Sequence, residues 1–313
     1  MAAAHAATKG TASALLTKTA ASGRPPLVLA LDFDKTLTEH DTIADVAAVA
    51  RRIRPEHRDF EWFVDEYIKD HDCFEREWAA KIDSHRRDRD RGGSSAVDRG
   101  FLDEYLEALR PVENASLRRV VDHRILAGVT ADDLFAAGTA VRFRPGAADT
   151  INHFIRTPDH SSSSICVVSI NWSESFIRGA LSANGVDHSL VDIYCNDMAF
   201  DAQTGLSTGH LPSAMVVASD KVAAIASVAR AVAETHGRPP TIVYAGDSLT
   251  DLPALLDANV GLLFGDSKAP ADWCEWLAVR FGEQRGARSD ASQVLYKLDS
   301  WDKAVAAVEA HIS

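Results

Sequence analysis

The chain has 313 residues, 46% of them hydrophobic, enough to bury one large core or two linked ones. Its net charge of −12 argues against a nucleic-acid partner held by bulk electrostatics. No apolar run reaches the roughly eighteen residues that a membrane-spanning helix needs.

Four cysteines, Cys73, Cys166, Cys195 and Cys274, stand far apart without a CxxC pair. That spacing speaks against a disulfide framework or zinc site and fits a reducing, cytoplasmic compartment. The first 31 residues hold no Asp or Glu, only Lys9, Lys18 and Arg24 among many Ala, Ser and Thr. Two readings of residues 1–25 stand side by side: a flexible tail, or a mitochondrial transit segment.

After Pro25-Pro26, the run Leu27 to Leu31 reads as a short buried strand. Residues 42–140 carry a helical rhythm instead. Ile43, Val46, Val49 and Ile53 share one face, as do Phe60, Phe63, Val64 and Tyr67, and later Phe101, Leu102, Tyr105, Leu106 and Leu109. The charged, Gly/Ser-rich stretch 84–100 is expected to be an exposed loop.

Beyond Arg144-Pro145-Gly146 strands and helices alternate. Strands are predicted at Ile165–Ser169, Leu190–Cys195, Thr241–Ala245, Val260–Phe264 and Val294–Leu298. Helices are predicted from about Ser173, from Ser219 or Asp220 to about His236, from near Leu249, and over Ser300–His311. Residues 199–209 read as a hairpin turning at Gly205. The alternation predicts an α/β fold with a doubly wound, mostly parallel, Rossmann-like sheet. Residues 26–41 and 141–313 would form its core. The block 42–140 is too long for a crossover and is expected to be an inserted all-helical cap domain.

In such sheets ligands collect at the carboxyl ends of the strands. The first strand ends in Asp32-Phe33-Asp34-Lys35-Thr36, the second in Ser169 followed by Asn171, and the fourth in GDSLTD, which supplies Asp247 and Asp251. Lys221, near the start of a predicted helix, is the only lysine between residues 82 and 267. Four aspartates at one end of a sheet repel one another and any phosphate. Magnesium, which takes hard oxygen ligands and keeps positions open for phosphate, would neutralise both, with Lys221 adding a second positive charge. One carboxylate can then attack phosphorus while the other protonates the leaving oxygen and later activates water.

DFDKT, the strand-ending serine, the isolated lysine and GDSLTD occur in the order found in the haloacid dehalogenase-like superfamily, whose phosphatases carry DxDxT. The resemblance covers residues 27 to about 300. It implies that Asp32 is the nucleophile and Asp34 the general acid/base, whose backbone carbonyl also reaches the metal. Thr36 is implied to orient the loop, and Ser169 and Asn171 to hold the phosphoryl group. Lys221 is implied to stabilise phosphate and nucleophile, Asp247 to bind the metal directly, and Asp251 to act through water or position Lys221.

A helical insertion just after the first motif resembles the phosphoserine-phosphatase-like branch. There, a carboxylate opening the first cap helix contacts the substrate. Asp41 stands at that position and is equally readable as a helix N-cap. The serine-glycine-glycine sequence usual in phosphoserine phosphatases is replaced by Ser169-Ile170-Asn171-Trp172. The run SINWSE resembles fungal and plant relatives, such as the phosphatase domain acting on thiamin monophosphate in some plant proteins. Trp172 is the tryptophan expected to wall a pocket. A second Gly-Asp-Ser at 265–267 lacks an acid four residues on, so Asp266 is expected to be a loop residue.

The expected activity is magnesium-dependent hydrolysis of a small phosphorylated metabolite through an aspartyl phosphate. Phosphotransfer on the same scaffold and a catalytically silent module holding phosphate or magnesium are the alternatives. Oligomeric state has no signature in the sequence.

Overall fold

A computed structural model describes residues 25–90, 99–157, 163–212, 215–282, 284–285 and 293–312, apart from the side chains of 86, 88–90 and 284–285. Its centre is a seven-stranded sheet in the order β3-β2-β1-β4-β5-β7-β6. The strands are β1 (Leu27–Leu31), β2 (Ser164–Ser169), β3 (Asp192–Cys195), β4 (Thr241–Gly246), β5 (Val260–Phe264), β6 (Gln284–Arg285) and β7 (Gln293–Leu298). Six are parallel, and only β6 runs antiparallel, against β7. The doubly wound α/β sheet predicted from the alternating pattern is therefore present.

The sequence of β1, LVLAL, explains why it lies at the centre. All five residues are buried. Leu27, Leu29 and Leu31 enter one hydrophobic cluster, while Val28 and Ala30 enter the cluster on the opposite face. The period of two along a strand makes this division automatic, and an uninterrupted apolar run satisfies both faces at once. On either side, Leu31 is in register with Val167 of β2 and Ala245 of β4. From β1 the chain moves outward to β2 and β3, then crosses back to β4. The crevice beyond the carboxyl ends of β1 and β4 is thus the switch point at which such sheets bind ligands.

Among the described residues, five helices stand between β1 and the Arg144–Gly146 turn: α1 (Ile43–Ile53), α2 (Phe60–Asp90), α3 (Arg99–Ala108), α4 (Arg110–Asp122) and α5 (Ala131–Gly138). They share cores with the sheet. Val46 and Val49 of α1, Phe63 of α2 and Val120 of α4 join the cluster of Leu29, and Phe101 and Leu102 of α3 join that of Val28. The remaining helices are α6 (Ala147–Arg156), α7 (Glu174–Ala183), α8 (Ala218–His236), α9 (Leu252–Asp257), α10 (Lys268–Trp276) and α11 (Ala304–Ile312).

Two local expectations need correction. The expected loop at 84–100 is helical at both ends: α2 continues to Asp90 and α3 begins at Arg99. Arg and Asp, although charged, are compatible with a helix, and the first glycine of the stretch comes only at Gly92. Residues 91–98 lie outside the described residues. The third strand starts at Asp192 rather than Leu190. His188–Leu190 forms a 3₁₀ turn capped by Asp187, whose carboxylate accepts the Ser189 N–H at 3.0 Å. The hairpin is present, with Phe200 bridging Ser207 and Gly205 at φ 69°.

Candidate active site

The chain leaves β1 at Asp32 and turns sharply. The Leu37 and Thr38 N–H groups both donate to the Phe33 carbonyl, and Lys35 takes a left-handed φ of 58°. That conformation costs a non-glycine residue roughly 1–2 kcal/mol. The Thr38 hydroxyl, accepting the Lys35 N–H at 2.9 Å, helps hold it. Phe33 and Leu37 are fully buried and anchor the turn. The indole N–H of Trp301, in the 3₁₀ turn preceding α11, donates to the Thr36 carbonyl at 3.0 Å.

At the end of β4, Asp247 faces Asp32 across the crevice. Oxygens of Asp32, Asp247 and Asp251 lie within 4.8 Å of one another, and all three residues are buried. The Thr36 hydroxyl lies 3.0 Å from Asp32 Oδ2 and 3.3 Å from Asp247 Oδ1, so one proton is shared between the two acids. Lys221 Nζ reaches in from the first turn of α8, donating to Asp32 Oδ1 at 2.8 Å and to Asp251 Oδ1 at 2.6 Å.

Asp251 is saturated. Besides Lys221 it accepts the Tyr244 hydroxyl at 2.6 Å, the Ser248 hydroxyl at 2.6 Å, and the N–H groups of Ser248 and Asp247 at 3.0 and 3.3 Å. Gly246 allows this close approach, because a Cβ there would stand 2.5 Å from that of Asp251. Asp251 is thus arranged to hold Lys221, leaving the cavity-facing oxygens to Asp32 and Asp247.

Asp34 stands apart from this cluster. Its Oδ1 accepts the Thr42 N–H at 2.7 Å and the Thr42 hydroxyl at 2.6 Å, and its Oδ2 accepts Asn171 Nδ2 at 3.3 Å. Asn171 also donates to Thr42 Oγ1 at 3.0 Å, closing a half-buried triangle that ties the start of α1 to the second motif. Ser169 Oγ accepts the Asn171 N–H at 3.1 Å.

Burial is the leading influence on these charges. It raises Asp32, as do the neighbouring Asp251 and Asp247, against the opposing pull of Lys221. It raises Asp247 to about 6, with Asp251 reinforcing it. Asp34 is raised by burial despite its hydrogen bonds. Asp251 goes the other way: Lys221, Ser248 and Tyr244 overcome its burial and hold it below the ordinary range. Burial also opposes the Lys221 ammonium, but Asp251 and Asp32 outweigh it and keep the lysine charged. Three buried acids against one lysine leave a negative excess. Hard oxygen donors carrying such an excess suit a divalent cation such as magnesium.

The acids open onto a cavity of about 530 Å³ between the sheet and the helical insertion. Asp32, Asp34, Lys35, Asp41, Lys221 and Asp247 line it. Thr36, Ser169, Asn171 and Asp251 are buried and do not. Trp172 does form part of the wall. Asp41 lines the cavity and its carboxylate accepts the Ile43 N–H at 3.1 Å, but the N-cap of α1 is Thr42 rather than Asp41. Asp266 is exposed and outside the lining.

Sequence reasoning assigned no role to Lys35, Tyr244 or Trp301. Lys35 was within sight, inside the motif itself. The phenol of Tyr244 interrupts an otherwise apolar strand, a signal that could have been read.

With this geometry in place, comparison with known proteins decides the family. The haloacid dehalogenase-like hydrolase model matches residues 29–256. The chain belongs to the haloacid dehalogenase-like hydrolases. The Bifunctional TH2 protein, mitochondrial, of Arabidopsis thaliana is 27% identical over 165 residues, which are 52% of this chain and 26% of that protein. The chain thus spans about a quarter of the plant protein's length. Cold tolerance protein 1 of Saccharomyces cerevisiae is 24% identical over 269 residues, 78% of this chain and 80% of the yeast protein. Among solved structures, cytosolic 5'-nucleotidase IIIB bound to cytidine shares the fold with a TM-score of 0.54 at 15% identity. That alignment covers 93% of this chain and 87% of the nucleotidase.

Proposed function

We propose that this haloacid dehalogenase-like hydrolase is a magnesium-dependent phosphomonoesterase for a small phosphorylated metabolite. The observation that carries the reading is the pairing of two carboxylates with different surroundings on one cavity. Asp32 is held by Lys221 and Thr36, and Asp34 by Thr42 and Asn171.

Asp32 is the nucleophile. Its hydrogen bonds fix the carboxylate, and attack on phosphorus gives an aspartyl phosphate with departure of the ester oxygen. Asp34, kept above the ordinary carboxylate range by burial, delivers the proton to that oxygen. Once deprotonated, it accepts a proton from the water that hydrolyses the acyl phosphate. Lys221 balances charge on Asp32 and the incoming phosphate, and Asp251 keeps its ammonium in place.

Asp32, Asp247 and the Asp34 carbonyl would hold the magnesium. When bound, it supplies the positive charge that lets an anion approach an anion. Ser169 and Asn171 act from behind the wall, Asn171 by orienting Asp34 and Ser169 by fixing the Asn171 backbone.

Phosphate release from a panel of phosphorylated metabolites tests the reading, with Asp32→Asn as the blank. The wild type should release phosphate only with magnesium, and Asp32→Asn should fall to background with an unchanged circular dichroism spectrum. Near-wild-type turnover by Asp32→Asn would remove Asp32 as nucleophile. Undiminished turnover after chelation would remove the metal.

A further inference from the structure

Of the two cations lining the cavity among the described residues, Lys221 is fully engaged: it is buried and donates to Asp32 and Asp251. Lys35 is not. Its side chain is 53% exposed, and its ammonium makes no hydrogen bond among the described residues. Its ion pair with Asp41, at 3.8 Å, is longer than a hydrogen bond and exposed on both sides. Pairs of that kind contribute little to stability.

The fold nevertheless keeps a lysine at a costly position. At φ 58° the backbone favours glycine or asparagine, and other side chains are strained there. The Thr38 hydroxyl, accepting the Lys35 N–H, holds the turn but not the side chain. The side chain lines the cavity instead, near enough to Asp247 to draw that carboxyl downward. Backbone strain of this sort clusters where function uses it.

Charge gives the lysine a task. With Asp34 protonated as the acid, Lys221 and a divalent cation balance Asp32, Asp247 and Asp251. A phosphate dianion entering the cavity then brings two further negative charges. Among the described residues lining the cavity, Lys35 is the one cation left to meet them.

We infer that Lys35 is a second phosphate-binding cation, which leaves Asp41 and donates to a non-bridging phosphoryl oxygen when substrate enters. The inference rests on the phosphomonoesterase reading and deepens it by naming a further residue that touches substrate. In the free enzyme Asp41 keeps the ammonium beside the cavity, loosely enough for phosphate to displace it. The new contact is charge-assisted at both ends, and so stronger than the exposed pair that it replaces. Asp32 and Lys35 belong to one turn, pinned by the buried Phe33 and Leu37, which fixes the attacking carboxylate relative to this cation.

The test is calorimetric binding of inorganic phosphate to the magnesium-loaded protein. Phosphate has no leaving group, so a contact between Asp41 and that group does not enter the measurement. Lys35→Asn and Lys35→Gly both suit the left-handed backbone and should fold as the wild type does. Each should weaken phosphate binding by at least about tenfold, and Lys35→Arg should keep most of it. Asp41→Asn removes the competing partner and should bind phosphate at least as tightly as the wild type. The decisive comparison is Lys35→Asn made in the Asp41→Asn background. A loss of about tenfold there as well sustains direct contact. No loss there means that Lys35 only masks the Asp41 charge, and overturns the inference. Unchanged affinity in Lys35→Asn, or a wild type that does not bind phosphate, overturns it too.

Hydrolysis separates this inference from the reading beneath it. If esters are hydrolysed while Lys35→Asn binds phosphate as the wild type does, the inference falls and the phosphomonoesterase reading stands. If no ester is hydrolysed, that reading falls, and a phosphate affinity that depends on Lys35 still sustains the second cation.

Discussion

Asp34 accepts three hydrogen bonds, and yet burial leaves its carboxyl above the ordinary pKa, the condition for an acid that must deliver a proton near neutrality. Asp34→Asn therefore should cost most where the leaving oxygen is most basic. Alkyl phosphates should lose about 10²- to 10⁴-fold in kcat/KM. p-Nitrophenyl phosphate, whose leaving group departs without a proton, should lose far less. Equal losses across a series of leaving groups would reduce Asp34 to a structural anchor for Thr42. The aspartates, Ser169 and Lys221 were legible in the sequence because each sits at a fixed offset from the end of a strand or the start of a helix. Tyr244 and Trp301 had no such offset. Trp301 lies 265 residues beyond the Thr36 carbonyl that it binds, and only the folded chain brings them together.

Strand positions were read closely because a parallel strand buried on both faces is an uninterrupted apolar run, and β1 and β5 are such runs. Boundaries carry weaker signals: α2 runs on to Asp90 through charged residues compatible with a helix, and a 3₁₀ turn takes the first residue expected of β3. Contacts between helices were not legible at all, and α5 against α7 is the clearest case. A Cβ on Gly138 would lie 2.0 Å from the Phe176 carbonyl oxygen, and one on Gly179 would lie 2.1 Å from that of Phe135. The two backbones touch reciprocally, and neither position has room for a methyl group. α7 follows the second motif and α5 closes the helical insertion, so this crossing fixes one on the other. Gly179→Ala should destabilise the protein by about 1–3 kcal/mol, the usual cost of overpacking a core that cannot relax freely. Urea unfolding measures it, and a loss below about 0.5 kcal/mol would mean that the helices slide apart at little cost.

Across the whole molecule the site is a concentration of buried negative charge that the fold tolerates and that a bound cation would relieve. Asp247 expresses this most directly. Unfolded, it titrates near the ordinary carboxylate value of about 3.9, whereas in the metal-free fold it titrates at about 6. Its burial therefore costs nothing below the unfolded value, progressively more as pH rises toward 6, and the full amount above. Asp247→Asn removes that charge at nearly constant shape. After chelation the variant should melt above the wild type at pH 7.5, and the gap should close as pH falls to 5. Magnesium should reverse the order. At a hundredfold excess over its dissociation constant, a ligand bound only by the folded state contributes about 2.7 kcal/mol, or several degrees in Tm, to the wild type. The variant, short of one anionic ligand, should gain much less while also losing phosphate release. If chelated wild type and variant melt together at pH 7.5, Asp247 carries no burial penalty. If magnesium raises both equally, the ion binds elsewhere. Because the three acids are adjacent and share Lys221 and Thr36, the destabilising charge and the proposed catalytic charge are the same groups. A variant that is more stable without metal but inactive with it is the outcome that this identity requires.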